Sequence, residues 1–140
     1  VTEINSKVYA FEYKKGHLTQ IQSISMIPEG FTDPGHGADI QVSADGKFLY
    51  ANTRSTVNEI AIFSIDQNTG RLSLIDKQPS LGKSSRTFAI DPSGNWLIST
   101  SQGTNELIVF KRDQNTGKLT ATGQKISIDK PSLVRFVEMD

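Results

Sequence analysis

Short runs of Ile, Val, Leu, Phe and Tyr alternate along the chain with clusters of Gly, Asp, Asn, Ser and Pro. β-Branched and aromatic residues suit a pleated surface, and the clusters hold turn dipeptides instead of helix caps, so each run reads as a β-strand. Four runs make a unit. An inner run (38–43; 86–91) leads through Asp45-Gly46 or Pro92-Ser93-Gly94 into a second (48–53; 96–100). A third (59–65; 106–111) leads through Asp-Gln-Asn-Thr-Gly into a fourth (71–77; 118–125). Each unit predicts a four-stranded antiparallel meander.

The unit repeats. Ile40-Gln-Val-Ser-Ala-Asp-Gly-Lys-Phe-Leu-Tyr overlies Phe88-Ala-Ile-Asp-Pro-Ser-Gly-Asn-Trp-Leu-Ile, with Gly46 and Gly94 in register at a spacing of 48. Asn58-Glu-Ile-Ala-Ile-Phe overlies Asn105-Glu-Leu-Ile-Val-Phe, and the following Gly70 and Gly117 stand 47 apart. A degenerate earlier copy survives as Val8-Tyr-Ala-Phe-Glu-Tyr, and a partial later one as Val134-Arg-Phe-Val. The runs 60–65 and 107–110 are nearly continuously apolar, which requires cover on both faces. Whole sheets that repeat and stack face to face predict an all-β protein of the β-propeller class. The chain then holds two complete four-stranded blades, 38–83 and 84–130. It is flanked by the end of a partial blade with its loop (1–37) and by the inner strand of a closing blade (131–140). The inner strand, Leu133–Glu138, needs partners from elsewhere. On this reading Val1 is an internal cut, Asp140 lies near the C-terminus, and about four more blades complete the ring.

Composition removes several function classes. Fifteen Lys and Arg balance fifteen Asp and Glu, so no overall field attracts nucleic acid or a membrane surface. There is no Cys and there are two His, which excludes thiolate catalysis and disulfides and argues against a metal centre; no cofactor is expected. The Asp-Gln-Asn-Thr-Gly turns carry oxygen ligands but lack the further acidic positions of a calcium loop. No apolar run approaches the roughly 20 residues of a membrane span. A cytoplasmic protein is expected, with a periplasmic or secreted one equally compatible with the absence of Cys.

Propeller geometry places the entrance of each inner strand and the exit of each second strand on one face of the ring, and the tight turns on the other. His36, Asp39, Arg86, Thr87 and Ser132 mark entrances, and Arg54 and Gln102 mark exits, so these polar residues converge on one mouth of the channel. His17 follows Lys-Lys-Gly in a hairpin and belongs to the surface.

Several segments carry a family resemblance: Ile27-Pro-Glu-Gly-Phe, Ala38-Asp-Ile, the run Asp45–Arg54, Arg86-Thr-Phe-Ala-Ile-Asp, Ser101-Gln, and the repeated Asp-x-x-Thr-Gly-x-Leu. Together they resemble the seven-bladed lactonase propellers, which include bacterial 6-phosphogluconolactonases and the fungal carboxy-muconate cyclases, over essentially the whole chain and against the last third of such proteins. The family commonly has His after Ala-Asp-Ile and Asp after the Arg of the other inner strand; Gln41 and Thr87 stand there. The resemblance implies a lactone hydrolase of the 6-phosphogluconolactonase type, with a carboxy-cis,cis-muconate cyclase-like cycloisomerase or a non-enzymatic binding scaffold as alternatives. Its partners would be a small lactone or carboxylate substrate and the remaining blades of the propeller.

Hydrolysis of a phosphorylated lactone needs a cation for phosphate, a base for water and donors for the oxyanion. His36, Asp39 and Arg86 are the candidate catalytic residues, and Arg54, Gln102 and Thr87 the candidate substrate ligands. Each has a plainer reading beside it: Arg86 and Arg54 as ion-pair partners between blades, Asp39 as a loop-fixing acceptor, His36 as a solvent-facing side chain.

Overall fold

In the computed structural model, which describes residues 1–27, 30–31 and 35–137, the strands follow the repeat. β1 (Lys7–Lys14) and β2 (His17–Ser25) form a hairpin. β3 (Gly37–Val42), β4 (Phe48–Thr53), β5 (Glu59–Ile65) and β6 (Leu72–Pro79) form one antiparallel meander. β7 (Phe88–Ile90), β8 (Trp96–Ser101), β9 (Glu106–Arg112) and β10 (Leu119–Ser127) form a second. Pro28 and Glu29 of the Ile27–Phe31 segment, Pro34 beside His36, and Glu138 and Asp140 lie outside the described residues. No helix long and apolar enough to cross a membrane occurs among the described residues.

Two apolar layers join the three sheets. Val8 and Met26 pack with Leu49, Ala51, Ala61, Phe63 and Leu72. Phe48, Tyr50, Ile60 and Ile62 pack with Phe88, Leu97, Ile108, Phe110 and Leu119. Alternate residues of β5 therefore serve opposite layers, which explains its unbroken apolar sequence; burial of each large side chain contributes about 1.5–3 kcal/mol. β9 differs from expectation. Ile108 and Phe110 are buried against the middle sheet, whereas Leu107 and Val109 are only half-buried, because among the described residues no further sheet lies on that side. Residues 133–137 pair with no strand among the described residues, as an inner strand whose partners lie elsewhere would be left.

A charged side chain also lies between the two complete meanders. Arg112 is 3% exposed. Its Nε donates to Tyr50 Oη at 2.7 Å and its Nη1 to the Gly94 carbonyl at 2.8 Å, while the guanidinium carbon stands 5.6 Å from the Phe48 and Tyr50 ring centroids. Tyr50 Oη in turn donates to the Gly117 carbonyl at 2.6 Å. Gly117 has φ +72° and a Cβ there would stand 2.4 Å from the Phe48 ring, so only glycine admits this approach. Burial raises the pKa of Tyr50, with Arg112 partly offsetting it, and the phenol stays a donor.

The tight turns hold their own carboxylates. The Ser43 hydroxyl lowers the pKa of Asp45, the Thr69 hydroxyl and amide lower that of Asp66, and the Thr116 and Asn115 amides lower that of Asp113. Burial pushes Asp91 upward, but hydrogen bonds from Ser93, Trp96 and Asn95 outweigh it and the net shift is down. A depressed folded-state pKa stabilises the fold above the unfolded value and is lost as pH falls through the folded one. Stability is therefore expected to hold level above about pH 5 and to decline below the ordinary carboxylate range. In thermal unfolding scans across pH, Asp66→Asn together with Asp113→Asn should flatten that acid decline.

Candidate active site

Adjacent inner strands β3 and β7 run in the same direction and are stitched by side chains. Asp39 Oδ2 accepts from the Phe88 amide at 3.1 Å, and Gln41 takes the Phe88 carbonyl and, at 3.4 Å, the Ile90 amide. Thr87 Oγ1 donates to the Ser132 carbonyl at 3.3 Å. The two positions that depart from the family pattern, Gln41 and Thr87, thus both reach from an inner strand to the next stretch of rim. Asn52, fully buried, ties its own meander to the next: its Oδ1 accepts from the Asp39 amide at 2.6 Å and its Nδ2 donates to the Ser85 carbonyl and hydroxyl at 2.9 Å.

The residue leading into each inner segment has left-handed backbone: His36 at φ 50°, Ser84 at 53° and Lys130 at 44°. Asn58 Oδ1 accepts from the Ser84 amide at 2.9 Å, and Asn105 Oδ1 accepts from the Lys130 amide at 3.1 Å. The second-strand exits then close on these entrances, the Arg54 amide on the His36 carbonyl at 2.8 Å and the Gln102 amide on the Ser84 carbonyl at 3.3 Å. The entrance and exit residues of neighbouring meanders therefore share one end of the stack.

Two side-chain groups result. In the first, Arg54 Nη2 is hydrogen-bonded to Glu3 Oε1, and His36 Nδ1 lies 4.0 Å from the same oxygen. Gly37 makes this possible, since its amide donates to the Glu3 carbonyl at 2.9 Å and a Cβ on it would stand 2.5 Å from the Thr2 carbonyl oxygen. Only a residue without a side chain lets the Thr2–Glu3 segment come so close. In the second group, Arg86 Nε donates to Gln102 Oε1 at 3.1 Å. The side chains of Asp39 and Thr87 are engaged by main-chain groups: Asp39 Oδ1 accepts from the Ile40 amide at 2.8 Å and Thr87 Oγ1 donates to the Ser132 carbonyl at 3.3 Å, while the Thr87 amide donates to Thr100 Oγ1 at 3.0 Å.

Glu3 was not among the residues the sequence singled out. It precedes the degenerate first copy of the repeat, yet it leads into β1 as Arg54 leads toward β5 and Gln102 toward β9. Extending the exit rule back by one repeat would have found it. Chemically, an imidazole near a carboxylate held by a guanidinium is a candidate base whose protonated form the carboxylate stabilises. The guanidinium of Arg86 and the amide of Gln102 form a separate set of donors on the neighbouring meander. No group of three or more His, Asp or Glu side chains able to hold a metal ion occurs among the described residues.

Comparison with known proteins agrees with this architecture. Residues 1–136 match the family model described as lactonase, 7-bladed beta-propeller. The chain is 34% identical over 106 residues to the 6-phosphogluconolactonase of Bacillus subtilis, covering 74% of this chain and 30% of the relative. It is 39% identical over 103 residues to that of Formosa agariphila, covering 73% and 29%. Among solved structures, the periplasmic gluconolactonase of Pseudomonas aeruginosa superposes with a TM-score of 0.93 at 31% identity, covering 97% of this chain and 38% of that one. The chain thus spans about 30% of the length of the curated relatives it matches. With the repeat, the stacked meanders and the family match in agreement, the chain belongs to the seven-bladed β-propeller lactonase family.

Proposed function

We propose that the intact protein hydrolyses a sugar lactone, in the manner of a 6-phosphogluconolactonase. The observation that carries this reading is the convergence of His36, Glu3 and Arg54 at the shared end of the inner strands, in a chain of this family. The activity named for the two relatives supports the reaction.

In this mechanism His36 takes a proton through Nε2 from a water that attacks the lactone carbonyl, while the Glu3 carboxylate 4.0 Å from Nδ1 stabilises the imidazolium that forms. The tetrahedral oxyanion is met by guanidinium N–H groups of Arg54. The ring oxygen then leaves and recovers the proton from the imidazolium. Asp39 ties β3 to β7 through the Phe88 amide, and Thr87 ties the Arg86 segment to Ser132.

The chain divides on this reading at 37/38, 83/84 and 130/131. Its end sheets dock on the other blades of the ring, where Phe11, 47% exposed, and half-buried Leu107 and Val109 would be covered. A phosphorylated substrate would support a cytoplasmic location, since sugar phosphates are retained there. The test is hydrolysis of 6-phosphogluconolactone by the intact protein. A rate above the spontaneous one is expected, and the spontaneous rate alone would end the reading.

A further inference from the structure

Arg54 and Arg86 stand at the same end of neighbouring meanders, but their charges differ in availability. Arg54 is matched by Glu3. Arg86 is exposed and gives only its Nε–H, to a neutral amide oxygen. Among the described residues no carboxylate lies within ion-pair distance of Arg86, and its two terminal nitrogens make no hydrogen bond. Gln102 therefore holds the guanidinium plane by one edge and leaves the Nη pair, the natural fork for an oxyanion, unspent.

Two further lysines lie on the segments next to it. The Lys83 carbonyl accepts from the Gly103 amide at 2.9 Å, which keeps Lys83 beside the Gln102 loop. The Thr87–Ser132 hydrogen bond brings the Lys130 segment to the other side. Both lysines are exposed, and neither has an ion-pair partner among the described residues. An unspent guanidinium fork with unpaired lysines on both adjoining segments suits the double charge of a phosphate monoester.

We infer that the Arg86–Gln102 rim, with Lys83 and Lys130, is the subsite that reads a phosphoryl group on the substrate, apart from the His36–Glu3–Arg54 group that acts on the lactone. Arg86 is then the specificity-determining residue and Gln102 its positioning residue. This rests on the lactonase reading for the identity of the substrate, and the experiment separates the two.

The intact protein is titrated calorimetrically with 6-phosphogluconate and with gluconate, the two hydrolysis products. The phosphorylated acid is expected to bind at least about 10-fold more tightly, with added NaCl narrowing the gap. Arg86→Gln should weaken 6-phosphogluconate by about 10- to 100-fold and leave gluconate unchanged. Lys47→Gln, on the turn face, should change neither. Equal affinities, no measurable binding of either, or an equal loss of both in Arg86→Gln would overturn the subsite. Discriminating binding without lactone hydrolysis would sink the lactonase reading and keep the subsite; hydrolysis without discrimination would do the reverse.

Discussion

On the proposed lactonase reading, His36→Asn is expected to lower kcat of the intact protein by about 100- to 10,000-fold, the usual contribution of a general base, with KM changed far less. Asparagine is the informative substitution because residue 36 has left-handed backbone, which Asn tolerates better than most other residues. The exchange removes the titratable nitrogen without straining the entrance to β3. Glu3→Gln keeps the shape of the carboxylate but not its charge, and its loss in kcat is expected to be smaller. Steady-state kinetics with circular dichroism melting on the same samples check both. A His36→Asn enzyme within about 3-fold of wild type, equally folded, would remove the imidazole from the chemistry.

Arg112→Ala is the variant expected to cost most in stability, about 2–4 kcal/mol by denaturant unfolding of the intact protein. It deletes donors to Tyr50 Oη and the Gly94 carbonyl and opens a gap between two sheets. Refunding the lost desolvation keeps the figure from being larger, because Arg112 Nη2 is itself buried without a protein partner. Arg112→Met restores volume without the hydrogen bonds and should recover part of the loss. Tyr50→Phe leaves the Gly117 carbonyl without its donor and Arg112 Nε without its acceptor, for about 1–3 kcal/mol. A loss below about 1 kcal/mol in Arg112→Ala would show that the apolar layer alone joins the sheets.

Strand positions were legible because alternating and unbroken apolar runs report burial directly: 48–53 and 59–65 coincide with β4 and β5. The rim was legible as a set of positions, since strand direction fixes which residues meet at an end. Which side chains would pair was not. Asp39 and Thr87 carry the right chemistry, but their atoms are taken by Phe88 and Ser132 across a sheet boundary that no local pattern reveals. Glu3 required following the repeat beyond its recognisable copies. Arg112 stands where the previous repeat has Ile65, so a charge at an apolar position of the repeat was the available sign of a buried cation.

The left-handed residues His36, Ser84 and Lys130 make the rim a row of like sockets, each held by main-chain bonds that ignore what the side chain is. Imidazole, hydroxyl and ammonium occupy successive sockets on nearly the same backbone. New reactivity can therefore be installed by exchanging one residue per blade, and a ring of such sockets can drift between substrates while its sheets stay as they are.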